Sequence, residues 1–447
     1  MMESGRSPVD GISYNERRLP MLHPTTPASG DPISVAYVIK ALNWSISRVA
    51  DVMAGLTPLA AGRAHLAPPV SVVSKFESQV GGEVLDTGSR PDSDAWAPVE
   101  TAIATIPVDG PVHDIAVSPD GEHVYVARAD SVVVIDGQHR IVRRIPFGGA
   151  AKSLVMDASG NQLFVFDYDG PVAAVDTRDH TAQMVWGGRA SAMVISPDGR
   201  HLYVAHDQVT DGGSGVVSVI DIASATTVAI VPVNDVAALT ISRDGGRLYA
   251  VSCERHTYHQ YPAGRLTVID TASHAVVETI AVGPCPETVA ASPDGAYLYI
   301  THYDTNSVSA VNLTTGGVTA LALRDAPLGV VFTPDSAHAY VCNVGSLTVI
   351  DTASHDADDI HVGELPRGLR LSPDGKRAYI TNLGDATLSV VDTITNAVAT
   401  SVEVPGHPEA VAVSPDGERI YVGDFWSGAV ALIAVPLVSN LHTDAAG

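Results

Sequence analysis

Short apolar runs alternate with turn residues along most of the chain, and the same order of runs recurs eight times. Each unit begins with an apolar strand, continues through a Ser-Pro-Asp-Gly-type turn, and enters a strand in which polar and apolar positions alternate, as at 201–205. A third strand often ends in Val-Ile-Asp, as at 268–270, and a fourth follows a short polar turn. The pattern therefore predicts four short antiparallel strands per unit.

The turn between the first two strands has a clear chemistry. Proline presets its own backbone angle, aspartate tolerates the next position, and glycine supplies the left-handed residue that closes the hairpin. The eight tetrads begin at Ser118, Asp157, Ser196, Ser242, Ser292, Thr333, Ser372 and Ser414. Gly121 and Gly417 are separated by 296 residues over seven steps, a period of about 42. A fixed period of this size predicts an all-β fold, a β-propeller with one four-stranded antiparallel blade per unit.

The number of blades follows from the two ends of the repeat region. The last unit, 410–435, has three strands, while 99–108 matches a fourth strand and precedes the first unit. We therefore expect the strand 99–108 to close the ring by pairing with 429–434, because closure removes exposed sheet edges. This predicts a propeller over 99–435 with eight blades. A count of seven would follow if the tetrads at Asp157 and Thr333 were degenerate inserts.

At this level the chain resembles the YVTN-type bacterial β-propellers, whose units carry Ser-Pro-Asp-Gly, Tyr-Val-Thr-Asn and Val-Ile-Asp. The sequences Tyr-Ile-Thr-Asn at 379–382 and Tyr-Val-Cys-Asn at 340–343 carry the resemblance. It covers residues 99–435 and implies the fold. Propellers of this kind include binding modules, envelope proteins and lactonase-like and metal-containing relatives, so the resemblance leaves the function open.

The net charge of the chain and the segments outside the repeat region limit the classes of partner and the location that we expect. A net charge of −24, from 26 basic and 50 acidic residues, excludes nucleic acid as the principal partner. Residues 1–98 predict an extension with a helix at 31–53 and a linker, and residues 436–447 a tail. Charges interrupt that helix, so we expect no transmembrane segment. We expect a location in the cell envelope or outside the cell, although the opening residues show no signal core and leave the cytoplasm open.

The four strands of each unit are called A to D in chain order. Repeat alignment sorts the loop residues by face, because the A–B and C–D turns lie on one face of a blade and the B–C loops and the D–A crossings between units lie on the other. One ring of residues lies three positions beyond the aromatic residue of strand B, one residue per unit: Arg128, Asp167, His206, Ser252, His302, Asn343, Asn382 and Asp424. A second ring, the crossing ring, lies on the D–A crossings into strand A: His113, Lys152, Ser191, Ala237, Glu287, Leu328, Arg367 and Glu409. Ten of these sixteen residues are ionisable in a chain that is 17% charged, which predicts a polar mouth.

The candidate ligand-binding residues are the ionisable members of both rings and two aromatic residues at the rim: His113, Arg128, Lys152, Asp167, His206, Glu287, His302, Arg367, Glu409, Asp424, Tyr303 and Trp426. Mixed charges suit a zwitterionic or hydroxyl-rich ligand. We therefore expect a noncatalytic binding or scaffold propeller, a monomer whose partner is a small polar molecule, a glycan or a protein segment. The sequence indicates no cofactor and no metal site, and it assigns no catalytic residue.

Two other functions remain open at the same mouth. One is a lactonase-like hydrolase or isomerase with carboxylates as general bases and histidines as acids. The general base would be Glu287, Glu409 or Asp424, and the acid would be His113, His206 or His302. The other is a metal-binding redox propeller, which needs at least three histidines to converge. Separately, Cys253 and Cys285 lie near one another in the fourth unit and predict a disulfide in an oxidising compartment.

Overall fold

The computed structural model describes residues 104–167, 170–206, 215–253 and 263–435. The expected helix at 31–53, the first residues of the closing strand and the tail from 436 lie outside these ranges. The described regular elements are 31 strands and one 3-10 turn, Tyr303–Thr305. The strands form seven antiparallel sheets, six of four strands and one of seven.

The strands are numbered in chain order and occupy four positions within a blade. The innermost strands A are β2 (Val112–Val117), β6 (Ser153–Met156), β13 (Val236–Ile241), β17 (Pro286–Ala291), β21 (Pro327–Phe332), β25 (Pro366–Leu371) and β29 (Pro408–Val413). Strands B are β3 (His123–Arg128), β7 (Gln162–Phe166), β10 (His201–His206), β14 (Arg247–Cys253), β18 (Tyr297–His302), β22 (His338–Asn343), β26 (Arg377–Asn382) and β30 (Arg419–Asp424).

The outer two positions complete each blade. Strands C are β4 (Ser131–Asp136), β8 (Gly170–Asp176), β11 (Val216–Asp221), β15 (Gly264–Asp270), β19 (Ser307–Asn312), β23 (Leu347–Asp351), β27 (Thr387–Asp392) and β31 (Ala429–Ala434). The outermost strands D are β1 (Ala104–Pro107), β5 (Ile141–Pro146), β12 (Thr226–Pro232), β16 (Ala275–Val282), β20 (Val318–Ala322), β24 (Ala357–Ile360) and β28 (Ala397–Glu403).

One long strand, β9 (Thr181–Ile195), belongs to two blades. Its first half pairs with β8 as the outer strand of the second blade, and its second half pairs with β10 as the inner strand of the third. Ala190 is paired with Gly170 on one side and with His206 on the other. The seven-stranded sheet is therefore two joined blades, and the seven sheets contain eight blades.

The first strand completes the last blade. β1 pairs antiparallel with β31, with Ala104 opposite Leu432 and Pro107 opposite Ala429. Val108, the next residue, is fully buried, and its N–H donates to the Gly428 carbonyl at 2.8 Å. The N-terminal strand and the C-terminal hairpin thus share one sheet, which leaves no blade incomplete.

The hydrophobic core is divided among the contacts between neighbouring blades. Eight clusters of buried side chains occur in the described residues, one for each pair of adjacent blades around the ring. The cluster containing Ile106 and Ile115 joins the last blade to the first. Because each blade buries both faces, the ring is one cooperative unit rather than a row of separate sheets.

The A–B turns explain the Ser-Pro-Asp-Gly repeat. In the first blade the Ser118 hydroxyl donates to the Asp120 carboxylate at 2.5 Å and accepts the N–H of His123 at 2.9 Å, while Gly121 has φ +73°. The turn at Thr333 forms in the same way with Ser336 at φ +61°, so this tetrad belongs to a regular blade. Prolines of one turn pack on glycines of the next: a Cβ on Gly375 would lie 2.4 Å from Pro334 Cδ.

The described residues include no helix with the length and apolar composition that crossing a membrane requires.

Candidate functional site

Bulges in the inner strands set the residues of the crossing ring apart from the sheets. The pairing of β2 with β3 skips His113, and the pairing of β29 with β30 skips Glu409. Equivalent irregularities occur in the pairings of β9, β13, β17, β21 and β25. A bulged residue leaves the ladder, and its side chain is directed away from the regular alternation. A bulge therefore sets a side chain apart near the start of the inner strand in seven blades, whereas in the second blade Lys152 directly precedes β6, whose pairing is regular.

Four side chains of the crossing ring converge, and we call them the axial charge cluster: Arg367, Glu409, His113 and Lys152. They come from four consecutive blades, the seventh, eighth, first and second. His113 Nε2 lies 3.3 Å from Lys152 Nζ. The charges of Arg367 and Lys152 both act on the Glu409 carboxyl. The cluster therefore occupies one half of the mouth, whereas the other half of the ring carries Ser191, Ala237, Glu287 and Leu328.

The environment shifts the protonation of this cluster. Burial raises the pKa of the Glu409 carboxyl, and the charges of Arg367 and Lys152 oppose part of the rise. Burial lowers the pKa of Lys152, against the attraction of Asp167 and Glu409. Burial and the neighbouring Lys152 charge lower the pKa of His113 to about 4, so the imidazole is neutral near pH 7. Lys152 therefore donates to an unprotonated His113 ring nitrogen.

Two charged side chains of the cluster make no direct polar contact with the described residues. Within the described ranges, neither the Glu409 carboxylate nor the Arg367 guanidinium has a hydrogen bond or an ion pair within 4 Å. Their backbone carbonyls do accept hydrogen bonds, from the hydroxyl of Thr381 at 3.1 Å and the thiol of Cys342 at 3.5 Å. The backbone at both positions is thus held while the charged ends are available to a ligand.

Asp114 connects the two inner strands next to His113 and Lys152, and it was not predicted from the sequence. Its half-buried carboxylate accepts the N–H of Ile115 at 2.8 Å, the N–H of Leu154 at 2.9 Å and the Ser153 hydroxyl at 3.2 Å. These bonds join the inner strands that present His113 and Lys152. Burial raises the pKa of Asp114, and the charge of Arg370 opposes the rise. A charged residue at an inner-strand position is the signal that sequence reasoning overlooked.

The ring at the end of strand B has a different role from the one expected of it. His206 is buried against Trp186, at 4.3 Å between ring centroids, and its Nε2 lies 2.8 Å from the Ser218 hydroxyl. His302 is fully buried, with Nδ1 2.9 Å from the Pro284 carbonyl and Nε2 2.8 Å from the Ser309 hydroxyl. Because these side chains connect strand B to strand C inside their blades, we leave both histidines out of the proposed site.

Arg128 and Asp424, two further members of that ring, hold the closure region. Arg128 Nη1 donates to the Val108 carbonyl at 3.2 Å, and its Nη2 pairs with Asp130 at 3.2 Å. The buried Asp424 carboxylate accepts N–H groups of His407, Trp426 and Ser427 at 2.9 to 3.0 Å. Burial opposes ionisation of Asp424, but these bonds outweigh it and lower the pKa. Both residues position the mouth rather than face it.

The remaining candidates are divided between the cluster and the far side of the ring. The Asp167 carboxylate accepts the N–H of Ala150 at 3.2 Å and lies within electrostatic range of Lys152. Glu287 is exposed on the fifth blade, opposite the first, and Tyr303 on the same blade is buried. Trp426 is 68% exposed beside the cluster, so it alone of the two predicted aromatic residues is at the rim.

Two clefts lie on the opposite face, among the A–B and C–D turns. The larger, about 330 Å³, includes Ser118, Tyr125 and His180, and the other, about 270 Å³, includes Gln138 and Arg419. The first cleft lies between the first and second blades, where the rings of Tyr125 and His180 face each other. At the equivalent position between the fifth and sixth blades, the Tyr299 hydroxyl lies 3.0 Å from His355 Nδ1. We interpret this cleft as an inter-blade contact, because it lies at the position where the repeat brings a tyrosine and a histidine of adjacent blades together. The Tyr125 hydroxyl and His180 Nδ1 are buried there without a hydrogen-bond partner among the described residues.

Neither a metal centre nor a disulfide is formed by the described side chains. No group of three or more His, Cys, Asp or Glu in the described ranges could hold a metal ion, and His256 and His259 lie outside those ranges. Cys253 and Cys285 are reduced and adjacent, and burial and the Cys253 thiol raise the pKa of Cys285 to about 12.

No protein-family model matches the chain, and no curated protein sequence matches it. The solved structures to which the chain is similar include the following two. Hydrazine synthase from Kuenenia stuttgartiensis is 21% identical over 74% of this chain and 98% of that chain, with a TM-score of 0.51. The C-terminal WD40 domain of Sif2 is 10% identical over 75% of this chain and 98% of that chain, with a TM-score of 0.61. These similarities confirm the predicted β-propeller fold and do not extend to function.

Proposed function

We propose that this propeller is a noncatalytic binding module that takes a small polar, carboxylate-bearing ligand at the axial charge cluster. The observation that carries the proposal is the convergence of Arg367, Glu409, His113 and Lys152 from four blades. Among the described residues, no hydrogen bond or ion pair within 4 Å engages the side chain of Arg367 or Glu409. Charged groups held in a concave mouth by a rigid scaffold are typical of specific recognition. A location in the cell envelope or outside the cell, as in relatives with the YVTN-type repeat, agrees with this function.

The pKa shifts favour one second candidate. A buried carboxyl with a raised pKa beside an amine with a lowered pKa is the arrangement of a general acid-base pair, and Glu409 and Lys152 have these shifts. A hydrolase or isomerase would use Glu409 as base and Lys152 as proton donor, because the His113 imidazole is neutral near pH 7. Such an enzyme would turn over the ligand that the binding module only retains.

Thermal unfolding of the full chain with small carboxylates tests the proposal. We would measure Tm with galacturonate, glutamate and citrate at millimolar concentration for the wild type, Arg367→Gln and Glu409→Gln. Matched controls are Arg324→Gln on the crossing into β21 and Glu122→Gln on the A–B turn of the first blade, which remove the same charges from exposed positions. A ligand present at 100 times its Kd adds about 2.7 kcal/mol of stability, a readily measured shift.

The expected result is a saturable rise in Tm with at least one probe that both cluster variants lose and both controls keep. The proposal fails if no probe shifts the wild type, or if the shift persists in Arg367→Gln and Glu409→Gln. Consumption of the stabilising probe, followed by NMR of the probe itself, would establish the enzyme in place of the binding module.

A further inference from the structure

Aromatic side chains continue from the axial charge cluster to the rim of the mouth. The ring of His113 meets Phe425 edge to face at 5.3 Å between centroids. Phe425 lies 6.2 Å from Trp426, and Trp426 lies 5.6 Å from His407. Trp426 is 68% exposed although it is the largest side chain of this loop. We call Phe425 and Trp426 the aromatic platform.

Asp424 holds this platform in position. Its Oδ1 accepts the N–H of His407 and that of Trp426, both at 2.9 Å, and its Oδ2 accepts from the Ser427 N–H and hydroxyl. The B–C loop of the last blade is therefore tied to the crossing that leads into the same blade. An exposed indole on a loop held by several charge-assisted hydrogen bonds is preorganised rather than freely mobile.

We propose that the ligand of this mouth is an acidic oligosaccharide, with a uronate carboxylate at Arg367 and Lys152 and the adjoining sugar rings on the aromatic platform. This inference rests on the proposed function and names its ligand class. The carboxylate end lies at the ring axis, and the chain of sugars runs across the last blade towards the rim.

The charges of the cluster favour a uronate at the axis. The planar guanidinium of Arg367 matches a carboxylate with two parallel hydrogen bonds, and Lys152 adds a second positive charge. In a chain of net charge −24, such a local pair of cations is the feature that admits an anion. The Glu409 carboxylate and the neutral His113 ring can bond the hydroxyl groups that surround a sugar carboxylate.

The platform favours sugar rings next to it. One face of a pyranose presents C–H groups, and these pack against the electron-rich face of an aromatic ring. The ring centroids of His113 and Phe425 lie 5.3 Å apart and those of Phe425 and Trp426 lie 6.2 Å apart, so the three rings together offer contacts to more than one sugar. The geometry thus suits a chain of at least two sugars rather than a monosaccharide.

Other polar ligands fit the same mouth less well. A protein segment would need backbone partners, but inner-edge N–H groups are already bonded, that of Leu154 to Asp114 and that of Gly368 to Thr381. The ammonium group of an amino acid would need a fully charged carboxylate, and burial works against the ionisation of Glu409. A sugar hydroxyl requires neither a free backbone N–H group nor a fully charged carboxylate.

Calorimetric titration of the full chain tests this inference with three probes: tetragalacturonate, galacturonate and the neutral maltotetraose. We expect tetragalacturonate to bind more tightly than galacturonate, and maltotetraose not to bind. Trp426→Ala should weaken tetragalacturonate about tenfold and leave galacturonate unchanged. The matched control Ile394→Ala removes another exposed apolar side chain, 75% exposed on a turn of the opposite face, and should change neither. Arg367→Gln should remove binding of both acidic probes.

The outcomes separate the inference from the function on which it rests. Binding of maltotetraose as tight as that of tetragalacturonate, or a Trp426→Ala effect on galacturonate equal to that on the tetramer, overturns the inference. If both uronates fail while citrate or glutamate binds in an Arg367-dependent manner, the inference is wrong and the proposed function stands. If tetragalacturonate binds Arg367→Gln as it binds the wild type, both are wrong.

Discussion

The imidazole of His113 and the ammonium of Lys152 meet across the boundary between the first and second blades, with Nε2 and Nζ 3.3 Å apart. The contact requires a neutral imidazole, because two cations at this distance would repel. Burial and Lys152 together provide that state by lowering the pKa of His113 to about 4. Asp114, which joins the same two strands, keeps the partners aligned.

The pH dependence of stability should reveal this contact. The folded-state pKa of His113 lies below its usual value of 6.5, so the unfolded chain binds a proton that the folded protein resists. The resulting stability is present above pH 6.5 and is lost as the pH falls towards 4. The loss is at most about 3 kcal/mol. In urea unfolding, His113→Gln should therefore lose less stability over this range than the wild type. Parallel losses in the two proteins would contradict the assignment.

The packing of turn prolines on turn glycines predicts unequal effects of the same substitution. Gly375 and Gly295 have φ of +72° and +73°, so alanine costs backbone strain at both. A Cβ at 375 would also lie 2.4 Å from Pro334 Cδ, whereas a Cβ at 295 meets nothing within 4 Å. We expect Gly375→Ala to be more destabilising than Gly295→Ala by about 1 kcal/mol or more. Equal midpoints in urea would show that the turns of adjacent blades do not pack in this way.

Ring closure by β1 predicts a sharp boundary in truncation experiments. Removing residues 1–108 deletes the strand that carries Ile106 and exposes the partners of Val108, which should cost several kcal/mol. Removing residues 1–90 leaves the strand intact and should cost little. As a point variant, Ile106→Ala should destabilise the full chain by about 2–4 kcal/mol. Closure would be refuted by two truncated proteins with the same Tm.

The adjacent thiols predict a disulfide under oxidising conditions. Cys253 ends β14 and Cys285 lies on the crossing that leaves the same blade. Burial raises the pKa of Cys285 to about 12, and the nearby Cys253 thiol adds to the rise. Incubation with oxidised glutathione at alkaline pH should form the bond by thiol exchange. Mass spectrometry after alkylation should then find Cys253 and Cys285 protected and the buried Cys342 unoxidised. Three alkylated cysteines in the unfolded, oxidised sample would contradict the prediction.

The fold could be predicted from the sequence because each blade repeats the same local chemistry. The tetrads set one turn per blade, and even the divergent Thr333 turn forms with Ser336 in the left-handed region. The joining of two blades through β9 was not predicted, because Gly187 and Gly188 are typical of a loop between blades, whereas the strand continues through them. A repeat period counts blades but does not determine where one hydrogen-bonded sheet ends.

The candidate site could be predicted only in part. Repeat alignment identified His113, Arg367 and Glu409, because a bulge frees the same position in three inner strands. It also identified Lys152, which directly precedes β6. It could not show that His302 would bond a hydroxyl on the neighbouring strand, since that depends on the residue at Ser309 across the ladder. Alignment assigns a residue to a face of the propeller, whereas the side-chain partner is set by tertiary contacts.

A crystal structure of the full chain soaked with galacturonate tests the central claim most directly. The account predicts difference density in the mouth formed by the B–C loops and D–A crossings, with the carboxylate within hydrogen-bond distance of the Arg367 guanidinium and a hydroxyl at Glu409. The claim would be contradicted by density in the cleft of about 330 Å³ beside Tyr125 and His180 on the opposite face, with the axial charge cluster unoccupied.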